Sequence, residues 1–410
     1  MKKIIIALTA IYFCAFAKTH IMSNIAPASI QYINLEPDFC DIACLNELLE
    51  SDMLASFMAR FEPSVIKDQN LSMMYASLGG NITFVADGSN KIAVIIPQKI
   101  IKSYTNVITD AIVSYAAQTN AKIQIEFIFC GDESESSVSS ALDQARARNI
   151  SYFIAPFTKN GFKILKKNLE QKEFAFIPTI NVRANGETAP NIVFGGIDYE
   201  AQIRVLMSMA NDKITAFSDT SYLGNLLNDY TRQSSNGEFY DVQIDSKELN
   251  LEEYLNNKTK YNNTSMFLNL PTIKASLIAT QARGYEIAPH ALLSTQINYT
   301  PHIFNSIDEK NRQNLYIANS ISEINDELLA TTALFGVNLN FNWIAYSSNI
   351  GLEYIYTNFI DTAKKRVFHE SIQSSQVGYD IKIYEAKGYK FSPVKLMEEE
   401  IKDNNSSLSL

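Results

Sequence analysis

Downstream of Asn90 the chain alternates between two hydrophobic rhythms. Short apolar or aromatic runs, "KIAVII" at 91–96, "IQIEFIF" at 123–129 and "YFIAPF" at 152–157, are followed by longer segments with apolar residues every three or four positions. An unbroken run buries both faces of a strand, whereas the longer period buries one face of a helix. The spacing predicts strand 91–96, helix 99–118, strand 122–130, helix 136–148, strand 151–156, helix 160–171 and strand 174–177. A second series predicts helix 199–210, strand 213–217, helix 221–233, strand 238–244, helix 250–257, strand 265–268, helix 272–282 and a strand near 291–294. Strands alternating with helices require right-handed crossovers, which give a parallel sheet covered on both faces. The expectation is an α/β protein of two doubly wound parallel-sheet lobes, preceded by a short helical segment.

Upstream, Leu45, Leu48, Leu49, Phe57 and Phe61 share one face of a predicted helix over 41–61, capped by Asp38 or Asp41 and stopped at Pro63. "ITFVADGSNKIAVII" places two apolar runs around Asp87–Gly88. Locally this reads as a hairpin; taken together with the alternation downstream of Asn90, the first run is an edge addition or linker. Far downstream, "LNFNWIAYSSNIGLEYIYTNF" at 339–359 is dense in aromatics, which core packing explains best and a partner-docking face explains more sharply.

The first residues carry two lysines, an apolar run from Ile4 to Phe16 and small residues at Ala15 and Ala17, the layout of a cleavable secretory signal over 1–17. The run is shorter than the roughly 20 apolar residues that span a bilayer. Residues 18–90 are then an N-terminal helical segment and linker, 91–397 the α/β domain and 398–410 a polar, flexible tail. Export makes the cysteines matter, because oxidising compartments let disulfides persist. Cys40 and Cys44, four residues apart, either bridge across a helix start or stay as two thiols with one packed in the core. Cys130 ends a strand and reads as a small buried hydrophobe.

"KIAVIIP" with its following helix, "ISYFIAPFTKNGFKIL", "FAFIPTINV" and "IVFGGIDYEAQIRVLMSMA" resemble successive segments of the type I periplasmic binding protein fold. The likeness is strongest to the solute-binding-like domain of the lipoprotein that activates penicillin-binding proteins, whose second lobe "MFLNLPTIKASLIATQARGYEIAPHALLSTQIN" resembles. The resemblance rests on order and pattern over roughly residues 91–397. It implies two lobes joined by crossing strands, with a ligand cleft at the carboxyl ends of the strands. The candidate cleft residues are Gln98, Thr158, Arg183, Asp219, Ser221, Asn269 and Ser294. In a small-solute receptor such Ser and Thr residues and backbone amides hold a carboxylate, and an Asp holds an amine. The same residue types also stand at helix starts simply because they cap them.

With 15 Gly, about 4% of residues against a usual ~7%, the inter-lobe turns lack the backbone freedom that close ligand approach favours. Bulky Gln98 and Phe157 stand where the first and third turns face the cleft, which predicts a filled or narrow cleft. Among the four His residues none has metal-ligand spacing, and no nucleophile elbow or phosphate loop occurs. No enzyme chemistry, metal or cofactor is expected. A net charge of −9 argues against nucleic acid or an anionic membrane as partner.

"KDQNLS" and "DNNSS" each match D-x-N-x-S, with Asn70 and Asn405 as acceptors. They resemble the extended acceptor of bacterial periplasmic N-glycosylation in Campylobacter-like cells, and both fall in segments that read as exposed loop or tail. The expected protein is periplasmic and non-enzymatic. It binds another envelope protein, in peptidoglycan synthesis control or the periplasmic structure of the flagellar motor. The competing expectation is a receptor for a small amino-acid-like solute feeding a transporter or sensor.

Overall fold

The strands are β1 (Lys91–Ile96), β2 (Gln124–Phe129), β3 (Tyr152–Ile154), β4 (Phe174–Ile177), β5 (Ile192–Phe194), β6 (Lys213–Asp219), β7 (Glu238–Ile244), β8 (Ser265–Asn269), β9 (Ala291–Ser294), β10 (Leu315–Asn319), β11 (Ser371–Gln373), β12 (Gln376–Gly378), β13 (Lys382–Lys387) and β14 (Lys390–Pro393). The computed structural model describes residues 38–62, 65–66, 68–78, 90–245, 251–256 and 258–394. The signal sequence expected at 1–17, the hairpin expected around Asp87–Gly88, Asn405 and the tail at 398–410 lie outside them.

β1 shows why the unbroken apolar runs make sheets with two covered faces. Ile92, Val94 and Ile96 join one core with the helix Tyr104–Gln118, while Ala93 and Ile95 join another with the helix Glu135–Ala147. The second sheet repeats the plan, with Phe217 of β6 facing one core and Ile214 and Ala216 the other. The first sheet has the order β11-β12-β5-β4-β3-β1-β2 and the second β14-β13-β10-β9-β8-β6-β7. The strands β2, β1, β3, β4, β5 and β12 are mutually parallel, as are β7, β6, β8, β9 and β10. Each sheet departs from the purely parallel expectation at one edge, where the short turns of β11–β12 and β13–β14 permit only antiparallel pairing.

The chain passes between lobes three times, after β5, after β10 and between β12 and β13. The aromatic stretch at 339–359 forms the helix Trp343–Ile355, of which eleven residues are buried, so core packing is its role. Glu353, fully buried, accepts from Tyr115 Oη at 3.0 Å and Arg366 Nε at 3.2 Å, and from the backbone amides of Val367 and Phe368. Burial and this carboxylate push the Tyr115 phenol up.

Three expected helices break. Helix 99–118 divides at Lys102, which has φ 50°, into Gln98–Ile101 and Tyr104–Gln118. Helix 250–257 gives way to the short turns Glu252–Leu255 and Lys258–Tyr261. In the unit of residues 1–83, separate from that of 84–410, helix 41–61 divides into Ile42–Glu50 and Leu54–Arg60. Asp52 has φ 55°, and the amides of Asp52 and Met53 donate back to Leu49 and Leu48, closing the first helix. The reversal lets Leu45, Leu48, Phe57 and Phe61 share one core. Asp41 is the cap, accepting from Cys44 N at 2.9 Å, and Cys40 and Cys44 form a disulfide across the helix start. Asn70 is exposed but lies in the helix Gln69–Ser77, not in the loop expected for a glycan acceptor. Asp68 of its motif caps that helix, accepting from Leu71 N at 2.9 Å.

Candidate functional site

Two helices begin at the cleft, one in each lobe, and their first turns follow one recipe. The helix Lys159–Asn168 opens with "TKNG" at 158–161 and the helix Tyr222–Ser234 with "SYLG" at 221–224. Thr158 and Ser221 are the caps, accepting from Asn160 N at 3.3 Å and Gly224 N at 3.0 Å. A helix start presents unpaired amides and a positive dipole end, a ready site for an anion. Here a carboxylate of the chain itself stands against the cap residue of each. Glu133 accepts from Thr158 N at 2.6 Å, from Gly161 N at 3.1 Å and from the Thr158 hydroxyl. Asp219 accepts from Ser221 N at 3.1 Å and Ser221 Oγ at 2.5 Å.

The glycines are what allow this. A Cβ on Gly161 would come within 2.9 Å of the Glu133 carboxyl carbon and 2.7 Å of the Phe157 ring, and one on Gly224 within 2.2 Å of Asp219 Oδ1. Neither position admits a side chain while the carboxylate stays in place.

Between the lobes lie two adjoining chambers. The first, about 650 Å³, is mainly apolar and aromatic; Phe157, Ile180, Tyr222 and Tyr230 line it along with Thr158 and Lys159. Burial pushes the Tyr230 phenol up. Lys159 Nζ stands 5.7 Å from the Tyr222 ring centre, a contact between a first-lobe cation and a second-lobe aromatic. The second chamber, about 490 Å³, is lined by Asp219, Ser221, Asn269, Tyr104 and Phe341 among others. Tyr199, Leu223 and Trp343 belong to both walls.

The expectation that Gln98 and Phe157 stop up the cleft is therefore corrected: chambers of ligand size remain. Phe157 packs into the first-lobe core and presents only a wall, and Gln98 turns away to accept from Gly131 N at 2.9 Å. Tyr199, Leu223 and Trp343, from three different elements, divide the space instead. Of the remaining candidates, Thr158 lines the first chamber and Asp219, Ser221 and Asn269 the second. Arg183 and Ser294 line neither. Arg183 is exposed and pairs with Asp198 at 3.3 Å, and buried Ser294 donates to the Leu268 carbonyl at 3.1 Å. Glu133, Gly161 and Gly224 escaped the sequence reading, although the repeated [ST]-x-x-G after an apolar run was there to be read. Among the described residues no group of three or more His, Cys, Asp or Glu is placed to hold a metal ion.

No protein-family model matches the sequence, and no curated protein does so significantly. Solved structures do match. A leucine-binding protein, LivK, from Thermotoga maritima is 12% identical with TM-score 0.54, covering 75% of this chain and 98% of that one. The branched-chain amino acid transporter substrate-binding protein LivJ from Streptococcus pneumoniae, solved with isoleucine, is 13% identical with TM-score 0.52, covering 75% and 100%. LpoA from Haemophilus influenzae is 13% identical with TM-score 0.52, covering 87% of this chain and 66% of that one. The chain has the two-lobed type I periplasmic binding protein fold.

Proposed function

We propose that this chain, starting from a solute-binding fold, works as a non-enzymatic interaction protein of the bacterial cell envelope whose cleft does not hold an amino acid. One observation carries the reading: a carboxylate of the chain stands at each helix start where a solute carboxylate would have to sit, Glu133 holding Thr158 N and Gly161 N in the first lobe and Asp219 holding Ser221 N in the second. An amino acid would have to displace a tethered carboxylate whose effective concentration no dilute solute matches.

The likeness to LpoA supports an interaction role over a transport role. Residues 84–410 make up about four-fifths of the chain, so a match covering 87% reaches into the N-terminal unit, whereas the LivK and LivJ matches cover 75%. On this reading residues 1–17 direct export to the periplasm, 18–90 dock on a partner or on the chain's own domain, and 91–397 present the binding-protein surface. Control of peptidoglycan synthesis is the favoured setting over the flagellar motor, because the sequence resemblance and the LpoA likeness point the same way. Asn405 remains a proposed glycan acceptor, and Asn70 requires its helix to open.

The test is cross-linking in intact cells followed by affinity capture of the full chain. A specific envelope protein recovered with the intact chain, and lost when residues 18–90 are deleted, supports the reading. Recovery of a permease and its ATPase would replace it with the receptor reading, which the size of the two chambers favours.

A further inference from the structure

The three segments that join the lobes are each fastened on both sides of a single residue. In the first crossing, Gly195 and Gly196 belong to the first lobe. Their amides donate to the Ile177 and Ile180 carbonyls, each at 2.8 Å. The Gly195 carbonyl accepts from Ser347 Oγ at 2.8 Å and from the Tyr379 hydroxyl, and that of Gly196 from Gln376 Nε2 at 3.0 Å and Asn181 Nδ2 at 3.1 Å. These glycines serve close packing: a Cβ on Gly195 would come within 2.5 Å of the Phe176 ring, and one on Gly196 within 2.3 Å of the Ile180 carbonyl carbon. Asp198 already belongs to the second lobe, capping the helix Tyr199–Leu206 by accepting from Ala201 N at 2.9 Å. Only Ile197 stands between.

The second crossing is tied more tightly. Ser320 is held to the second lobe, its amide donating to Gln296 Oε1 at 2.6 Å and its hydroxyl accepting from Gln202 Nε2 at 2.6 Å. Ser322 is held to the first, donating at 2.8 Å to Glu370, which also accepts from the Tyr346 hydroxyl. Ile321, between them, is bound both ways. The Asn319 side chain of β10 accepts from the Ile321 amide and donates to its carbonyl, each at 3.0 Å, while the Ile321 side chain packs in the first-lobe core. In the third crossing Tyr379 reaches back to Gly195, Ile381 packs against the second-lobe core and Lys382 begins β13. Asp380 alone stands between.

Binding-protein lobes close when a few hinge residues absorb a change of φ and ψ. A residue has only two such soft dihedrals, so three single-residue links side by side cannot turn together unless the bonds on one side let go. Gln202, Ser320 and Ser347 are fully buried, and water cannot replace a bond broken there. We infer that the hinge is locked: the two lobes are held at one opening, and a partner meets them as a single rigid surface. The lock does not depend on what fills the cleft.

The experiment is pulsed electron–electron double resonance on the full chain carrying Cys130→Ala, with spin labels at exposed positions, Lys163→Cys in the first lobe and Asp229→Cys in the second. Lys163→Cys paired with Gln144→Cys, both in the first lobe, gives the width that the labels alone produce. The inter-lobe distance distribution is expected to be single and as narrow as that control. The combined substitutions Gln202→Ala, Ser322→Ala and Tyr379→Phe remove a tie from every crossing, and should broaden the distribution about twofold or add a second population. Tyr379→Phe alone keeps the ring and removes only the hydroxyl, and it takes the place of the triple variant if that does not fold. A native distribution with two populations, or about twice as wide as the control, overturns the lock. A folded variant as narrow as the native protein overturns its assignment to these bonds.

Discussion

Replacing Glu133 with alanine removes the carboxylate that fills the first-lobe helix start. Three donors lose their acceptor: Thr158 N, the Thr158 hydroxyl and Gly161 N. Thr158 keeps its own capping bond to Asn160 N, so the helix retains part of its cap. Loss of an N-terminal cap costs about 0.5–2 kcal/mol, and loss of a charge at a helix N-terminus about 0.3–1 kcal/mol. Because Thr158 is exposed and water can replace some bonds, about 2 kcal/mol in total is expected. With an unfolding entropy of ~2.1 cal/mol/K per residue, that lowers the melting temperature of the larger unit by about 3 °C. The variant also exposes an anion site the native protein lacks, so formate should rescue it. At ten times its dissociation constant a ligand contributes about 1.4 kcal/mol, or about 2 °C here. The assay is differential scanning fluorimetry of both proteins across a formate series, with chloride held constant. Equal stabilisation of native protein and variant by formate, or a variant no less stable than the native protein, would refute the reasoning.

Other parts of the molecule give further expected outcomes. Glu353→Ala strands the Tyr115 hydroxyl, Arg366 and two amides around a buried gap, and urea unfolding followed by Trp343 fluorescence should show a loss of about 3 kcal/mol. Burial, ahead of the nearby carboxylates of Glu133 and Asp132, pushes the Cys130 thiol up to about 11. Its alkylation by iodoacetamide in the native protein should be slow at pH 8 and accelerate as the pH rises towards that value, because only the thiolate reacts. Reducing the Cys40–Cys44 disulfide should free about 2 kcal/mol of chain entropy in the unfolded state, seen as faster hydrogen exchange over Ile42–Glu50.

The two-lobed fold was legible because parallel strands buried on both faces must be continuously apolar, and nothing else in a chain of this composition repeats such runs between helical stretches. The breaks at Asp52 and Lys102 were not legible, since a single residue with positive φ leaves the apolar period intact on either side of it. Nor was the exception at β2, which lies at a sheet edge with Phe129 54% exposed despite its apolar sequence. The cleft was half readable. Thr158, Asp219, Ser221 and Asn269, which line the chambers, stand out in the sequence because polar residues at strand ends are conspicuous. Gln98, Arg183 and Ser294 met the same criterion but face Gly131, Asp198 and the Leu268 carbonyl. Glu133 was missed because its contact with Gly161 joins two turns 28 residues apart, a distance only the fold closes.

The most direct test of the central claim is isothermal titration of the purified full chain with leucine, isoleucine, glutamate and glycine. The carboxylates of Glu133 and Asp219, standing against the two helix starts, oppose a solute carboxylate there, so no saturable heat is predicted for any of the four up to millimolar concentration. Micromolar binding of any one of them, abolished by Asp219→Asn, would contradict it and return the chain to the solute receptors whose fold it shares.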